Sequence, residues 1–133
     1  MDFAWPVRVY WEDTDAGGVV YYANHLKFLE RARSEWLRGL GFEQDVLRDE
    51  AGVVFVVRRV VVDYLAPARF NDALTVTVAP GAVRGASLEL HQTIAAGPTR
   101  LVSAGVTLAC VDAARFKPVK IPSPLLQALV RAT

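Results

Sequence analysis

One cysteine in 133 residues, Cys110, rules out an internal disulfide, and a chain that folds without one fits a reducing compartment. Histidine is almost as scarce, with only His25 and His91. No group of His, Cys and carboxylates has metal-ligand spacing, so no metal is expected. Strong charge of either sign is also missing: the net charge is +1, which gives no basis for wholesale nucleic-acid binding. Apolar runs are short. Val53 to Val57 falls far below the roughly 20 residues of a membrane span, so no membrane insertion is expected. The start, Met1-Asp2-Phe3-Ala4-Trp5-Pro6, has no basic segment followed by an apolar run, so no secretory signal is expected. The expected location is the cytoplasm. No internal repeat or low-complexity segment is visible.

What remains is an ordinary globular composition, 53% hydrophobic and 22% charged, read as a single domain over residues 1–133. The charge is unevenly placed. Of 15 Lys and Arg, the four at Arg115, Lys117, Lys120 and Arg131 follow Asp112, the last acidic residue. The positive sign of the chain therefore comes from its tail.

Apolar periodicity divides the chain into elements. Trp5, Val7, Val9 and Trp11 alternate with Pro6, Arg8 and Tyr10, which predicts a half-buried strand over 5–12. From Asn24 to Leu40 the period changes: Leu26, Leu29, Ala32, Trp36, Leu37 and Leu40 recur at three- and four-residue steps, as on one stripe of an amphipathic helix. Asn24 is the expected N-cap, and Gly39 and Gly41 the stop. Arg31 and Glu35 can pair on the outer face, as can Glu30 and Arg33. After a polar connection from Glu43 to Gly52, the Val-rich run Val53–Tyr64 predicts a long strand with much of both faces covered. Three more strands follow, through Leu74–Val78 to a break at Pro80-Gly81, through Leu88–Ile94, and through Leu101–Val111. Pro122 to Val130 predicts a short closing helix. One helix with an apolar stripe must bury it against the sheet, and strands at meander spacing favour an antiparallel sheet curved around it. Sheet edges left open favour oligomerisation.

The segment Tyr10 to Phe42 carries the chemistry. Asp13, Asp15, Gly17 and Gly18 lie just ahead of a helix start, which places carboxylates beside free backbone N–H groups. Chemistry that moves charge onto a carbonyl oxygen needs both. An Asp here also serves simply to close a turn. Asp13 is read mainly in that structural way; facing Asp15 it would raise its neighbour's pKa, which the helix start would lower.

Tyr10-Trp11-Glu12-Asp13-Thr14-Asp15-Ala16-Gly17-Gly18-Val19-Val20-Tyr21, Phe28-Leu29-Glu30-Arg31-Ala32-Arg33, Phe55-Val56-Val57-Arg58, Tyr64-Leu65-Ala66-Pro67-Ala68-Arg69, Arg84-Gly85-Ala86-Ser87-Leu88 and Cys110-Val111-Asp112 together resemble the hotdog-fold acyl-CoA thioesterases. The likeness is to the 4-hydroxybenzoyl-CoA thioesterase type, and within it to the bacterial enzymes associated with the Tol–Pal system. The likeness implies an α+β hotdog fold: an antiparallel sheet of about five strands around one long helix. It implies hydrolysis of an acyl-CoA or acyl-carrier thioester, CoA thioester being substrate and no cofactor being needed. Asp15 would be nucleophile or general base, the backbone N–H of Tyr22 would polarise the carbonyl, and Gly17 and Gly18 would let the backbone approach it. Many Tol–Pal-associated relatives carry histidine where Tyr22 stands, whereas the 4-hydroxybenzoyl-CoA enzymes carry tyrosine. The histidine here comes three residues later, and His25 is the candidate assistant, with Asp13 a second. Arg58, Arg59, Arg69, Arg84, Lys117 and Lys120 are the candidate contacts for the phosphates of CoA, and Trp36 and Tyr64 candidate acyl-pocket walls. His91 is expected to be exposed and Cys110 to be a small core residue. The family forms dimers with active sites at the subunit boundary, commonly paired into tetramers. Other readings are a hotdog dehydratase or hydratase, which would want a histidine paired with an acid, and a non-catalytic acyl-binding or scaffold protein.

Overall fold

The structure, a computed structural model, describes residues 2–132. In chain order it contains β1 (Phe3–Arg8), α1 (Asn24–Gly39), a short α2 (Gln44–Val46) that widens into a π-turn over Leu47–Ala51, β2 (Val53–Tyr64), β3 (Ala73–Arg84), β4 (Ser87–Ala96), β5 (Thr99–Asp112) and α3 (Ser123–Ala132). The five strands form one antiparallel sheet in the order β1-β3-β4-β5-β2. This is the hotdog arrangement, one long helix held in the curve of a sheet. Among the described residues no helix is long and apolar enough to cross a membrane.

Inward-facing Leu74, Val76 and Val78 of β3, Leu88, Leu90 and Ile94 of β4, and Val102, Val106 and Leu108 of β5 make one wall of the core. The stripe Phe28, Leu29, Ala32, Trp36 and Leu37 makes the other. Full burial of a Phe or Leu side chain is worth about 1.5–3 kcal/mol, so this stripe fixes the helix against the sheet whatever its propensity. Leu125 and Leu129 of α3 join the same core. Trp36 is thus a core residue and not a pocket wall. One polar link crosses the core. Gln92, fully buried, donates to the Leu29 carbonyl at 3.1 Å and the Thr77 carbonyl at 3.3 Å, and its Oε1 accepts from Arg33 Nη1 at 3.0 Å.

Several expectations need correction. The first strand ends at Arg8; Trp11 begins a 3-10 turn, Trp11–Asp13, and lies exposed, edge-on against Phe70. β3, β4 and β5 follow the expected meander, but β2 pairs with β5 at the sheet edge instead of with β3. Pro80-Gly81 does not end β3. A register shift between Pro80 and Val83 absorbs the missing N–H as a bulge and the strand runs on to Arg84. Asn24 does not cap α1. Ala23 holds the cap position, and the Asn24 side chain instead donates to the Asp13 carbonyl at 3.0 Å. Glu35 pairs with Arg38, which also holds Glu43 at 2.9 Å, and not with Arg31, whose guanidinium lies over Phe28.

The largest difference concerns β2. It is not covered on both faces: Val56, Val57, Val60, Val61 and Tyr64 are exposed. On the inner face the cause is the position of the helix: α1 rests against β1, β3 and β4, and its offset leaves Val57 and Val60 uncovered, whereas Val61 lies with Arg59 on the outer face of the sheet.

Candidate active site

The loop before α1 is built by its own carboxylates. Asp13, 8% exposed, accepts the Tyr10 N–H through Oδ2 at 2.8 Å. Its carbonyl accepts the Tyr21 N–H at 3.0 Å and the Asn24 side chain. Asp13 therefore ties the 3-10 turn to the start of the helix. An antiparallel bridge between Thr14 and Val20 folds the loop back on itself. At its tip the Asp15 N–H donates to the Val19 carbonyl at 2.9 Å, the Gly18 N–H to the Asp15 carbonyl at 3.0 Å, and the Gly17 N–H to Asp15 Oδ1 at 2.8 Å. Both glycines answer to this geometry. A Cβ on Gly17 would sit 3.2 Å from Asp15 Oδ1, and Gly18 has φ +78°. The Gly17 N–H is occupied by Asp15 in this structure.

Asp15 is exposed in the single chain, with one oxygen held by Gly17 and Oδ2 left without a donor among the described residues. Beyond the loop the chain enters α1 by tight bonds: Asn24 N–H to the Tyr21 carbonyl at 2.8 Å, His25 N–H to Tyr22 at 3.3 Å and Leu26 N–H to Ala23 at 3.1 Å. The N–H groups of Tyr22 and Ala23 precede this ladder and have no acceptor among the described residues. They sit at the positive end of the helix dipole.

An aromatic cluster supports the helix start. Tyr64, at the end of β2, donates its hydroxyl to the Tyr22 carbonyl at 2.9 Å. The Tyr22 and Tyr64 rings meet edge-on at 6.0 Å, and His25 lies edge-on to Tyr64 at 5.6 Å and to Phe28 at 5.9 Å. His25 is 3% exposed, its Nδ1 has no partner, and burial pushes its pKa below the usual imidazole value. It is a neutral ring inside this cluster, with no hydrogen bond to Asp15.

Between α1 and β2 lies an open groove of about 260 Å³, walled by Leu26, Leu29, Val57, Val60 and Val106, with Glu30 and Arg33 among its polar lining. Asp15 is not among the groove's lining residues. Burial lowers the Arg33 pKa and the nearby Glu30 opposes that shift. The six candidate phosphate contacts are all exposed but do not form one cluster. Arg69 bridges to Val19 beside the Asp loop. Arg58 sits at the β2 register shift and Arg59 on the outer face of the sheet near Glu89 and His91. Arg84, Lys117 and Lys120 gather at the opposite end, where the Asp112 N–H meets the Lys117 carbonyl and the Ile121 N–H meets the Gly85 carbonyl. His91 is exposed, and Cys110 is fully buried with its thiol pKa raised by that burial, so it is no nucleophile. Sequence reasoning did not reach the Ala23 N–H or the hydroxyl bond of Tyr64. A backbone donor leaves no residue-type signal, and a contact across 42 positions leaves no local one.

A sequence model of the thioesterase-like superfamily matches residues 9–129. The acyl-CoA thioesterase YbgC of Haemophilus influenzae is 46% identical over 120 residues, covering 90% of this chain and 88% of that one. The acyl-CoA thioester hydrolase YbgC of Escherichia coli O6:H1 is 48% identical over 125 residues, covering 93% and 92%. Among solved structures, a probable thioesterase from Bartonella henselae superposes with a TM-score of 0.86 at 35% identity, over 92% of this chain and all of that one.

Proposed function

The chain belongs to the thioesterase-like superfamily, and on that premise we propose that it is an acyl-CoA thioesterase releasing a free carboxylic acid and CoA, with Asp15 as its reacting carboxylate. One observation carries the assignment of the site. A carboxylate with an unengaged oxygen stands on the loop that leads directly into two unengaged N–H groups, those of Tyr22 and Ala23. A thioester carbonyl needs both: an oxygen to attack or to activate water, and donors for the charge that develops on the carbonyl oxygen.

Two routes satisfy the chemistry. As general base, Asp15 takes a proton from water, the hydroxide adds to the carbonyl carbon, and the oxyanion rests on the backbone N–H groups. Collapse expels CoA as thiolate, which then picks up a proton. As nucleophile, the carboxylate itself adds and expels the thiolate, and water hydrolyses the resulting mixed anhydride. Gly17 holds Oδ1 in either case, leaving Oδ2 to react. His25 takes no part in proton transfer; it is buried among aromatic rings. Asp13 is engaged by backbone and holds the loop.

Asp15 is exposed in one chain, so a second chain completes the site. The exposed Val56, Val57, Val60 and Val61 lie on an edge strand with unpaired backbone groups, a surface that invites pairing with another copy. That pairing would cover the groove between α1 and β2 and place an acyl chain between subunits. Pairing of dimers into tetramers rests on the resemblance alone. Arg69, beside the Asp loop, is the favoured first phosphate contact. The cytoplasm is proposed as the location because Cys110 is the only cysteine.

The test is thiol release from a panel of aroyl-, short-chain and long-chain acyl-CoA, with acyl carrier protein thioesters beside it. Turnover on any of these by a dimeric or larger species is the expected result. Binding of acyl-CoA without thiol release would assign an acyl-binding role in its place.

A further inference from the structure

We infer that Tyr64 is a positioning residue for thioester hydrolysis: its hydroxyl fixes and polarises the Tyr22–Ala23 peptide, so that the Ala23 N–H joins that of Tyr22 as a donor to the carbonyl oxygen. The inference rests on the thioesterase reading above and deepens it.

Each N–H shares a peptide plane with the carbonyl of the residue before it. Tyr64 donates to the Tyr22 carbonyl at 2.9 Å, and that carbonyl shares its peptide plane with the N–H of Ala23. A hydrogen bond accepted by one end of a peptide draws charge through the amide and makes the N–H at the other end a stronger donor. The Tyr22 N–H is treated the same way, because its own peptide carbonyl, that of Tyr21, accepts the Asn24 N–H at 2.8 Å. Both unengaged donors therefore carry a hydrogen-bonded carbonyl behind them. Without Tyr64, the Tyr22 carbonyl would keep only the His25 N–H at 3.3 Å, the longest of the three bonds that open the helix.

The tyrosine is itself held. Its ring meets Tyr22 and His25 edge-on, and burial raises its hydroxyl pKa, with Tyr22 adding to the effect. The hydroxyl thus stays protonated, as a donor must. Core packing does not account for the residue, since Tyr64 is 45% exposed. Its hydroxyl nonetheless spans from the end of β2 to the start of α1.

Tyr64→Phe keeps the ring and removes the donor. With an acyl-CoA that the unmodified protein turns over, kcat should fall between threefold and about tenfold, the range set by one net hydrogen bond. KM should stay within about twofold and the melting temperature should change little. A second readout uses polarisation directly. In the Asp15→Asn background, which holds unreacted substrate, the infrared carbonyl band of bound aroyl-CoA should be less red-shifted when Tyr64→Phe is added. Unchanged kcat and an unmoved band would overturn the inference. So would a loss of kcat matched by rising KM and falling melting temperature, which would make Tyr64 a merely structural residue. No thioester turnover by the unmodified protein would instead remove the reading beneath, and the inference with it.

Discussion

Replacing Asp13 separates the two carboxylates of the loop. Asp13 is nearly buried, and its Oδ2 accepts the Tyr10 N–H at 2.8 Å. Asp13→Ala leaves that N–H without its charged acceptor. Hydrogen bonds to charged groups contribute about 1.5–3 kcal/mol; at the edge of solvent, about 1–2 kcal/mol is expected, because water reaches the freed N–H. With about 2.1 cal/mol/K of unfolding entropy per residue, 1.5 kcal/mol on a chain of this length lowers the melting temperature by roughly 5 °C. Asp13→Asn retains an acceptor oxygen and should recover most of the loss. Thermal melts and thiol-release assays on both variants make the comparison. Activity should follow the folded fraction, since the carbonyl of residue 13, which holds Tyr21 and Asn24, is untouched by either change. Folded Asp13→Asn protein with abolished turnover would refute the reasoning and put the charge of Asp13 into the chemistry.

The uncovered edge of β2 predicts that Val60→Lys, which sets a charge in the groove, yields monomers by sedimentation and loses turnover together with association; an active monomer would contradict the shared site. His25 predicts a pH dependence of stability. Burial lowers its folded pKa below that of the unfolded chain, so above about pH 6.5 both states are neutral and its contribution is constant. As pH falls below that value the unfolded chain takes up a proton that the folded one refuses, and stability declines until the folded pKa is reached. Urea midpoints at pH 7.5 and 5.5 should show this decline, and His25→Gln should reduce it; an identical decline in the variant would place the effect elsewhere.

What the chain reveals of itself depends on where the physical cause lies. The α1 stripe was legible because a helix that buries Phe28, Leu29, Ala32, Trp36 and Leu37 must repeat them at helical spacing. The inward faces of β3, β4 and β5 were legible for the same reason. Asn24 looked like a cap, and became an anchor to Asp13, because a loop eleven residues earlier offered a carbonyl. Pro80-Gly81 looked like an end because a bulge that absorbs a proline is set by the neighbouring strand: the Gly81 position lies close to the Glu89 backbone. The valines of β2 read as a strand covered on both faces, but valine spacing carries no information on where α1 docks, and the helix lies against β1, β3 and β4 and leaves Val57 and Val60 exposed. At the site, spacing alone left Asp15 as either a turn closer or a reacting group. Its geometry includes the first, through Gly17, and leaves Oδ2 without a donor among the described residues, as the proposed second role requires. The proposed donors were illegible in principle, because backbone N–H groups have no letter in the sequence.

The most direct measurement is single-turnover hydrolysis of an acyl-CoA by Asp15→Asn beside the unmodified protein, both shown to be folded and equally associated. The account predicts loss of thiol release by at least about a hundredfold, with bound thioester recovered intact. Hydrolysis at the unmodified rate would contradict it.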